Sequence, residues 1–289
     1  MSSSTQPYYY VPEPSRHPVR ASIGLLAFGF GMSQWVNGVD WGAYLTGAGI
    51  VWVLFVLYQW FGEAIAESES GRNGVNVDIS YRWSMSWFIF SEIMFFGAFF
   101  SALFYARSIA MPWLGSIDHQ LIWPNFAANW PNAGPGGLVE SFQTMGPWPI
   151  PTINTAILLT SGLTITWAHH ALRENNRKQA IQGLALTVAL GFLFVCFQVY
   201  EYVHAYSELN LKLTTGIYGS TFFMLTGFHG FHVIVGTIFL IVCLARTYKG
   251  DFTSRQHFGF EAAAWYWHFV DVVWLFLFIA IYVWGSNFG

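Results

Sequence analysis

Apolar residues fall along this chain in long continuous runs, separated by short polar segments. A membrane crossing needs about 20 such residues, and seven runs reach that length. They lie at about 21–38, 43–66, 81–106, 153–172, 180–206, 216–245 and 258–284. Backbone groups in the hydrocarbon must be satisfied internally, and continuous runs lack the alternation of barrel strands. The pattern therefore predicts an all-α integral membrane protein with seven transmembrane helices.

The amino-acid composition is also typical of an integral membrane protein. Only 9% of the 289 residues are charged and 54% are hydrophobic, whereas soluble domains carry roughly 25% charged residues. Cys196 and Cys243 lie within predicted helices and in no metal-ligand spacing, so no disulfide framework is expected. No phosphate-binding loop, nucleophile motif or basic stripe is present, which excludes a nucleic-acid partner.

Lysine and arginine predict the orientation. With the N-terminus in the cytoplasm or mitochondrial matrix, only Arg107 and Lys212 lie outside. The inner basic residues are then Arg16, Arg20, Arg72, Arg82, Arg173, Arg177, Lys178, Arg246, Lys249 and Arg255. This asymmetry follows the positive-inside rule. An odd number of crossings places the C-terminus outside.

The segments between the runs predict the domain organisation. Residues 1–20 form a polar cytoplasmic leader, and residues 111–152 form a long extracytoplasmic loop without lysine or arginine. The four tryptophans of this loop favour either a compact lid against the membrane interface or a neighbouring subunit, or simple interfacial anchoring.

Ionisable residues within the runs are the candidates for chemistry, because a charge inside a membrane is costly. Glu92 lies about ten residues into the third predicted helix, or about 15 Å deep. A proton pathway and a structural hydrogen bond to a neighbouring helix or a lipid are both open for this intramembrane acid. The structural role is favoured, since no chain of further acids follows Glu92 on that helix.

Histidines supply a second candidate. His229 and His232 are three residues apart on the sixth predicted helix and so share a face. Glu261, His268 and Asp271 on the seventh are their candidate partners. A structural polar network that locks the two helices is favoured, with a metal or haem site and a lipid-headgroup or proton-linked role as alternatives. Arg246 and Lys249 either set the topology or bind phospholipid headgroups.

Several long motifs together resemble one family. They are Ser91-Glu92, Thr166-Trp167-Ala168-His169-His170, Tyr218-Gly219-Ser220-Thr221-Phe222-Phe223, Thr226 to His232, Phe252 to Ala262, and Trp265 to Asp271. In this order, over nearly all seven runs, they resemble cytochrome c oxidase subunit III. The long loop and the tyrosine-rich leader favour a bacterial member in the plasma membrane over one in the mitochondrial inner membrane.

The resemblance implies a two-helix bundle at 21–66, a cytoplasmic loop at 67–80 and a five-helix bundle at 81–289. These would splay into a V-shaped cleft that holds phospholipids. It implies an accessory core subunit of an aerobic cytochrome c oxidase with no catalytic residue, metal or cofactor of its own. Haem and copper would lie in partner subunits, subunit I in direct contact and subunit II in the same complex, and cytochrome c would be the substrate of the complex. The subunit would support proton uptake and sustained turnover in coupled oxygen reduction.

The same resemblance implies a set of lipid contacts. They fall on Trp60, Glu67, His232, Arg246 and Lys249.

Three other classes fit parts of the pattern. A retinal protein needs a lysine within its last helix, and the three lysines of this chain lie near the ends of predicted helices. A proton-coupled transporter or an independent membrane haem protein would instead use Glu92, His229, His232 and His268 directly.

Overall fold

The computed structural model describes residues 10–136 and 139–286, and these ranges contain helices and no strands. The helices are α1 (His17–Val36), α2 (Trp41–Glu69), α3 (Val75–Tyr105), α4 (Met111–Leu114), α5 (Ile117–Gln120), α6 (Ile150–Arg173), α7 (Arg177–Ser207), α8 (Gly216–Lys249) and α9 (Phe258–Leu277). Short π-helical segments at Ala106–Ala110 and Phe278–Val283 extend α3 and α9. The predicted all-helical class is confirmed.

Five of the long helical segments are apolar enough to cross a membrane. They are Trp41–Glu69, Val75–Leu114, Arg177–Ser207, Gly216–Lys249 and Phe258–Val283. Helices α1 and α6 cover the first and fourth predicted runs, but their polar residues keep them outside this set. Seven crossings therefore stay a prediction, whereas a helical membrane protein is established.

The chain divides into two compact units, one before and one after the boundary between Tyr81 and Arg82. Residues 1–9 of the predicted leader and residues 287–289 of the predicted outer tail lie outside the described residues. Within the first unit, α1 begins at His17.

Helices α1 and α2 of the first unit pack at backbone contact. A Cβ atom added at Gly49 would lie 2.5 Å from the backbone nitrogen of Phe28, and one at Gly31 would lie 2.5 Å from that of Thr46. Small residues allow this approach, and membrane helices associate mainly through such close packing. The indole nitrogen of Trp52 also donates to the carbonyl of Arg20 at 2.8 Å. The hairpin is therefore held mainly by close packing, and the bonds of Trp52 to Arg20 and of His17 to Glu63 add to it.

Helices α6 to α9 of the second unit pack as successive neighbours, and α6 also packs against α9. Trp267 and Trp274 of α9 are fully buried between them. Each indole nitrogen donates to a hydroxyl of α6, Trp267 to Ser161 at 2.8 Å and Trp274 to Thr155 at 2.9 Å. A buried indole needs such an acceptor. These two bonds fix the register of α9 against α6.

The part of α3 within the second unit contacts α8 and α9 mainly through aromatic side chains. Phe95 packs edge-on against Phe228, with ring centroids 4.9 Å apart, and Phe96 contacts Phe269 at 6.2 Å. Only 11% of the most apolar stretch of α3 and its extension is buried within the chain, compared with 56% for α9 and its extension. Helix α3 therefore presents most of its apolar surface outward.

The segment 111–152 packs in part on the second unit itself. Phe142 stacks on Tyr218 of α8 at 6.0 Å, and the indole nitrogen of Trp130 donates to the carbonyl of Gly285 at 2.8 Å. Trp113 and Trp148 are exposed instead. One part of this segment thus covers the end of the unit where α7 ends and α8 begins.

The close approach of α1 and α2 makes a testable prediction. Gly49→Leu should destabilise the first unit by about 1–3 kcal/mol, because the new side chain has no room beside Phe28. Gly47→Leu on the same helix is the matched control, since nothing lies within 4 Å of a Cβ added there. Thermal unfolding of the two variants in detergent would measure the difference. Equal unfolding temperatures would contradict backbone-contact packing.

Candidate functional site

Glu92 of α3 pairs with His232 of α8 in the second unit. The carboxylate Oε2 atom lies 2.9 Å from the Nε2 atom of His232. Five aromatic rings surround this imidazole at centroid distances of 5.2 to 6.4 Å, those of Phe95, Phe96, Phe231, Tyr266 and Phe269. The pair joins α3 to α8 inside an apolar shell.

The second ring nitrogen of His232 defines how the pair holds its proton. Nδ1 lies 2.6 Å from the carbonyl of Phe228, so it carries a hydrogen and donates it. Nε2 then either accepts a hydrogen bond from a neutral Glu92 carboxyl or, when it also carries a hydrogen, donates a hydrogen bond to the Glu92 carboxylate. In both forms one proton lies between the two side chains, and the pair as a whole is neutral.

Glu261 of α9 pairs with Arg82 of α3. The guanidinium approaches both carboxylate oxygens, at 2.8 Å through its Nη2 and 3.4 Å through its Nε. The Cζ atom of Arg82 also lies 5.7 Å from the ring centroid of Phe258. Two-point pairing of this kind fixes orientation as well as distance. Helix α3 is therefore attached to α9 by an ion pair and to α8 by the Glu92–His232 bond.

His268 and Asp271, three residues apart on α9, face α6. Nε2 of His268 lies 3.2 Å from the hydroxyl of Thr166, and its Nδ1 lies 4.0 Å from Oδ2 of Asp271. A Cβ atom at Gly162 would lie 2.5 Å from the same Oδ2, so the glycine provides the space that Asp271 occupies. The side chain of Asp271 is 8% exposed and that of His268 45% exposed. These two residues belong to the α6–α9 contact.

His229 is fully buried on α8. Its Nε2 lies 3.2 Å from the carbonyl of Val270 on α9, and its ring contacts Trp274 at 5.1 Å. This contact joins α8 to α9.

The four residues expected to form one polar network therefore take part in three separate contacts. His229 bonds a carbonyl of α9, Glu261 bonds Arg82 of α3, and His268 with Asp271 faces α6. His232, which shares a helical face with His229 in the sequence, bonds Glu92 of α3 instead of a residue of α9. Spacing along one helix does not specify which way a neighbouring helix is rotated.

The expected lipid residues of the second unit lie on α8. Arg246 is partly buried, with its Cζ atom 4.4 Å above the ring of Phe252 and its Nε 3.7 Å from Asp251. Lys249, three residues on, is exposed. His232 has both ring nitrogens bonded within the chain, as described above. A headgroup could bond its Nε2 only by displacing Glu92.

The expected lipid residues of the first unit lie on α2. The Trp60 ring stacks on His17 at 5.7 Å, and His17 bonds Glu63 at 2.7 Å. Glu67 lies near the end of α2, where it interacts electrostatically with Arg72. A hydrogen bond with the Tyr10 side chain raises the pKa of the Arg72 guanidinium above its ordinary value.

Sequence reasoning missed two polar features of the second unit. The Arg177 guanidinium donates to the carbonyls of Thr247 and Tyr248 and so satisfies the C-terminus of α8. Glu201 of α7 is buried, with the hydroxyl of Tyr282 bonded to its Oε1 at 2.5 Å. The rule that singles out Glu92 would also have found Glu201, since both lie inside predicted helices.

Across residues 10–136 and 139–286, no three His, Cys, Asp or Glu side chains converge as ligands for a metal ion. Glu92 with His232 and Arg82 with Glu261 instead pair two by two, between helices of the second unit.

Comparison with known proteins agrees with this arrangement of helices and motifs. The family model for cytochrome c oxidase subunit III matches residues 6–286. Cytochrome c oxidase subunit 3 of Drosophila melanogaster is 44% identical over 287 residues, which cover 99% of this chain and all of that protein. The proteins of the same description from Triticum aestivum and Marchantia polymorpha are 42% and 43% identical, also over 99% of this chain and their full lengths. The chain therefore belongs to the cytochrome c oxidase subunit III family.

Proposed function

We propose that this chain is an accessory core subunit that binds subunit I of an aerobic cytochrome c oxidase, holds structural phospholipids and sustains turnover. Membership of the family makes it one subunit of an oxidase complex with other oxidase subunits. In the proposal, haem and copper reside in the partner subunits I and II, and cytochrome c is the substrate of the complex. This chain contributes no redox centre and supports proton uptake by stabilising its partner.

The outward apolar surface of α3 is the observation that carries the proposal. A stretch that is long enough to cross the membrane, yet 11% buried within its own chain, must be covered by lipid or by another subunit. Trp83, Trp87, Phe90 and Met94 are among its exposed side chains. Large aromatic and methionine side chains are typical of subunit interfaces.

We place the chain in the plasma membrane of a bacterium, with the mitochondrial inner membrane as the second candidate. The N-terminus lies in the cytoplasm and the C-terminus outside, as the distribution of basic residues indicates. With seven crossings, two helices belong to the first bundle and five to the second. The two compact units support this division.

Arg246 and Lys249 are the proposed headgroup contacts of the second unit, and Trp60 and Glu67 those of the first. Lys249 is exposed near the end of α8, and the ring of Phe252 holds the guanidinium of Arg246 in place. Basic residues at this level of a membrane attract anionic headgroups with about 1 kcal/mol each. Because its ring is bonded on both sides, His232 contributes to this site by positioning α8.

A transporter or an independent haem protein would need Glu92, His229, His232 and His268 to serve a substrate, a proton path or a haem. His229 is fully buried and bonded to a carbonyl, and Glu92 and His232 are bonded to each other. These contacts favour the accessory subunit over both alternatives.

Affinity purification of the tagged chain tests the proposal. We expect subunits I and II to co-purify in equal amounts with this chain, together with the haem spectrum of the oxidase. The matched sample is the same chain separated from its partners in detergent, which should carry neither haem nor copper. Stoichiometric haem in the separated chain, or its isolation without oxidase subunits, would contradict the proposal.

The bond between Glu92 and His232 predicts different outcomes for two substitutions. Glu92→Gln should leave assembly largely intact, because the amide N–H donates to Nε2 of His232. Glu92→Leu should destabilise the subunit by about 1–3 kcal/mol, because it leaves that buried nitrogen without a partner. The amount of the subunit retained in the purified complex measures both. Loss of the subunit in Glu92→Gln would contradict the structural role of this residue.

The lipid proposal predicts that Arg246→Ala combined with Lys249→Ala releases bound phospholipid. The working life of the enzyme during turnover should shorten more than its initial rate falls. Arg173→Ala with Lys178→Ala is the control, since it removes two exposed basic residues from other helix ends. Mass spectrometry of the bound lipid and the time course of oxygen consumption provide the measurements. Unchanged lipid content in the first variant would contradict the assignment.

A further inference from the structure

A second buried polar cluster lies at the end of the second unit where α7 ends and α8 begins. We call it the Glu201 cluster and define it by Gln198 and Glu201 of α7, Tyr218 of α8, and Tyr282 of the π-helical segment after α9. All four are at least 94% buried. The Tyr282 hydroxyl donates to Oε1 of Glu201, and Glu201 interacts electrostatically with Tyr218. The cluster thus joins three helical segments around one carboxyl group.

Several polar atoms of the Glu201 cluster have no hydrogen-bond partner within the chain. They are Oε2 of Glu201 and atoms of the Gln198 amide, which approaches only the Tyr202 hydroxyl. The Tyr218 hydroxyl approaches the backbone of Met145. The nearby hydroxyl of Tyr202 already bonds Thr226 at 2.7 Å. Buried polar atoms in folded proteins nearly always have a partner from the protein or from ordered water. This cluster therefore needs a ligand that the chain itself does not supply.

Asn154 of α6 also has buried polar atoms without a hydrogen-bond partner. It is fully buried, and neither atom of its amide has a partner. Helices α6 and α7 are antiparallel, and Asn154 and Gln198 each lie about 20 residues from the turn that joins them, or about 30 Å at 1.5 Å per residue. The two amides therefore lie at the same level of the unit.

The unbonded atoms include both hydrogen-bond donors and acceptors, and this determines the chemical class of the ligand. A metal ion would bind the carboxylate and amide oxygens but leave the N–H groups of Gln198 unbonded. An anion would bind those N–H groups but face the carboxyl of Glu201. Only a small molecule that both donates and accepts hydrogen bonds serves all of them, and water does so with two to four partners.

The segment 111–152 covers the Glu201 cluster. The rings of Phe142 and Trp130 contact the Tyr218 ring at 6.0 and 6.1 Å, and the Tyr218 hydroxyl faces the backbone of Met145, which is itself buried. The bond from Trp130 to the carbonyl of Gly285 anchors this cover next to Tyr282. A ligand in the cluster is thereby enclosed by protein on that side.

We infer that the Glu201 cluster is an internal water-binding site, in which ordered water connects Oε2 of Glu201 with the Gln198 amide one turn earlier on α7. The water makes Glu201 a hydrated acid beneath the cover formed by Trp130, Phe142 and Met145. This site is separate from Glu92, which has its own partner on α8.

Electron cryomicroscopy of the intact oxidase complex tests the inference directly. At a resolution that shows ordered water in the neighbouring subunits, we expect density within hydrogen-bond distance of both Glu201 and Gln198. Direct pairing of the Gln198 amide with Glu201, with no density between them, would overturn the proposal.

Infrared spectroscopy of variants gives an independent test. The carboxyl stretching band of Glu201 is identified by its loss in Glu201→Gln. We expect this band to shift on exchange of bound water for heavy water and in Gln198→Leu. It should stay in place in Gln179→Leu, which changes an exposed glutamine on the same helix. A Gln198→Leu complex that assembles with an unchanged band would overturn the proposal, and if that variant does not assemble, the density of the native complex decides.

Discussion

The structure depends on one constraint: a polar side chain within the hydrocarbon core has no bulk water to bond. The second unit meets this constraint with pairs that join different helices. Glu92 bonds His232, Arg82 bonds Glu261, and the indole nitrogens of Trp267 and Trp274 bond hydroxyls of α6. Each pair satisfies its own atoms and at the same time fixes two helices against each other. Residues that look like active-site candidates in the sequence are thereby explained as structural contacts.

Helix α3 shows how these polar pairs between helices contribute to assembly. Its apolar surface is mostly exposed, so shape alone holds it weakly to the rest of the second unit. The bonds of Arg82 and Glu92 lie ten residues apart along α3 and fix both its position and its rotation. A helix fixed in this way can present one defined apolar surface to lipid or to a partner subunit. In the proposed function, that surface is the contribution this chain makes to the oxidase.

The sequence predicted the helices well because long apolar runs leave few alternatives in a membrane. The apolar run predicts that α3 begins at residue 81, but the helix begins at Val75. The difference arises because Asn76 and Asp78 are too polar for the run and yet are helical. The partners of Glu92 and Glu261 could not be derived, because spacing within one helix says nothing of the rotation of another. Glu201 is different, because the sequence does reveal it: like Glu92, it is an acidic residue within a predicted transmembrane helix. The water inferred beside Glu201 could not be predicted from the sequence, because the sequence does not specify which buried atoms lack a partner.

In the proposed function, this chain stabilises an oxidase without taking part in its redox chemistry. The most direct measurement follows oxygen consumption over time by the purified complex, before and after selective removal of this subunit. We expect an unchanged haem spectrum and a retained initial rate, followed by a faster loss of activity that re-addition of the subunit with phospholipid reverses. Immediate loss of oxygen reduction together with loss of haem from the depleted complex would contradict this proposal.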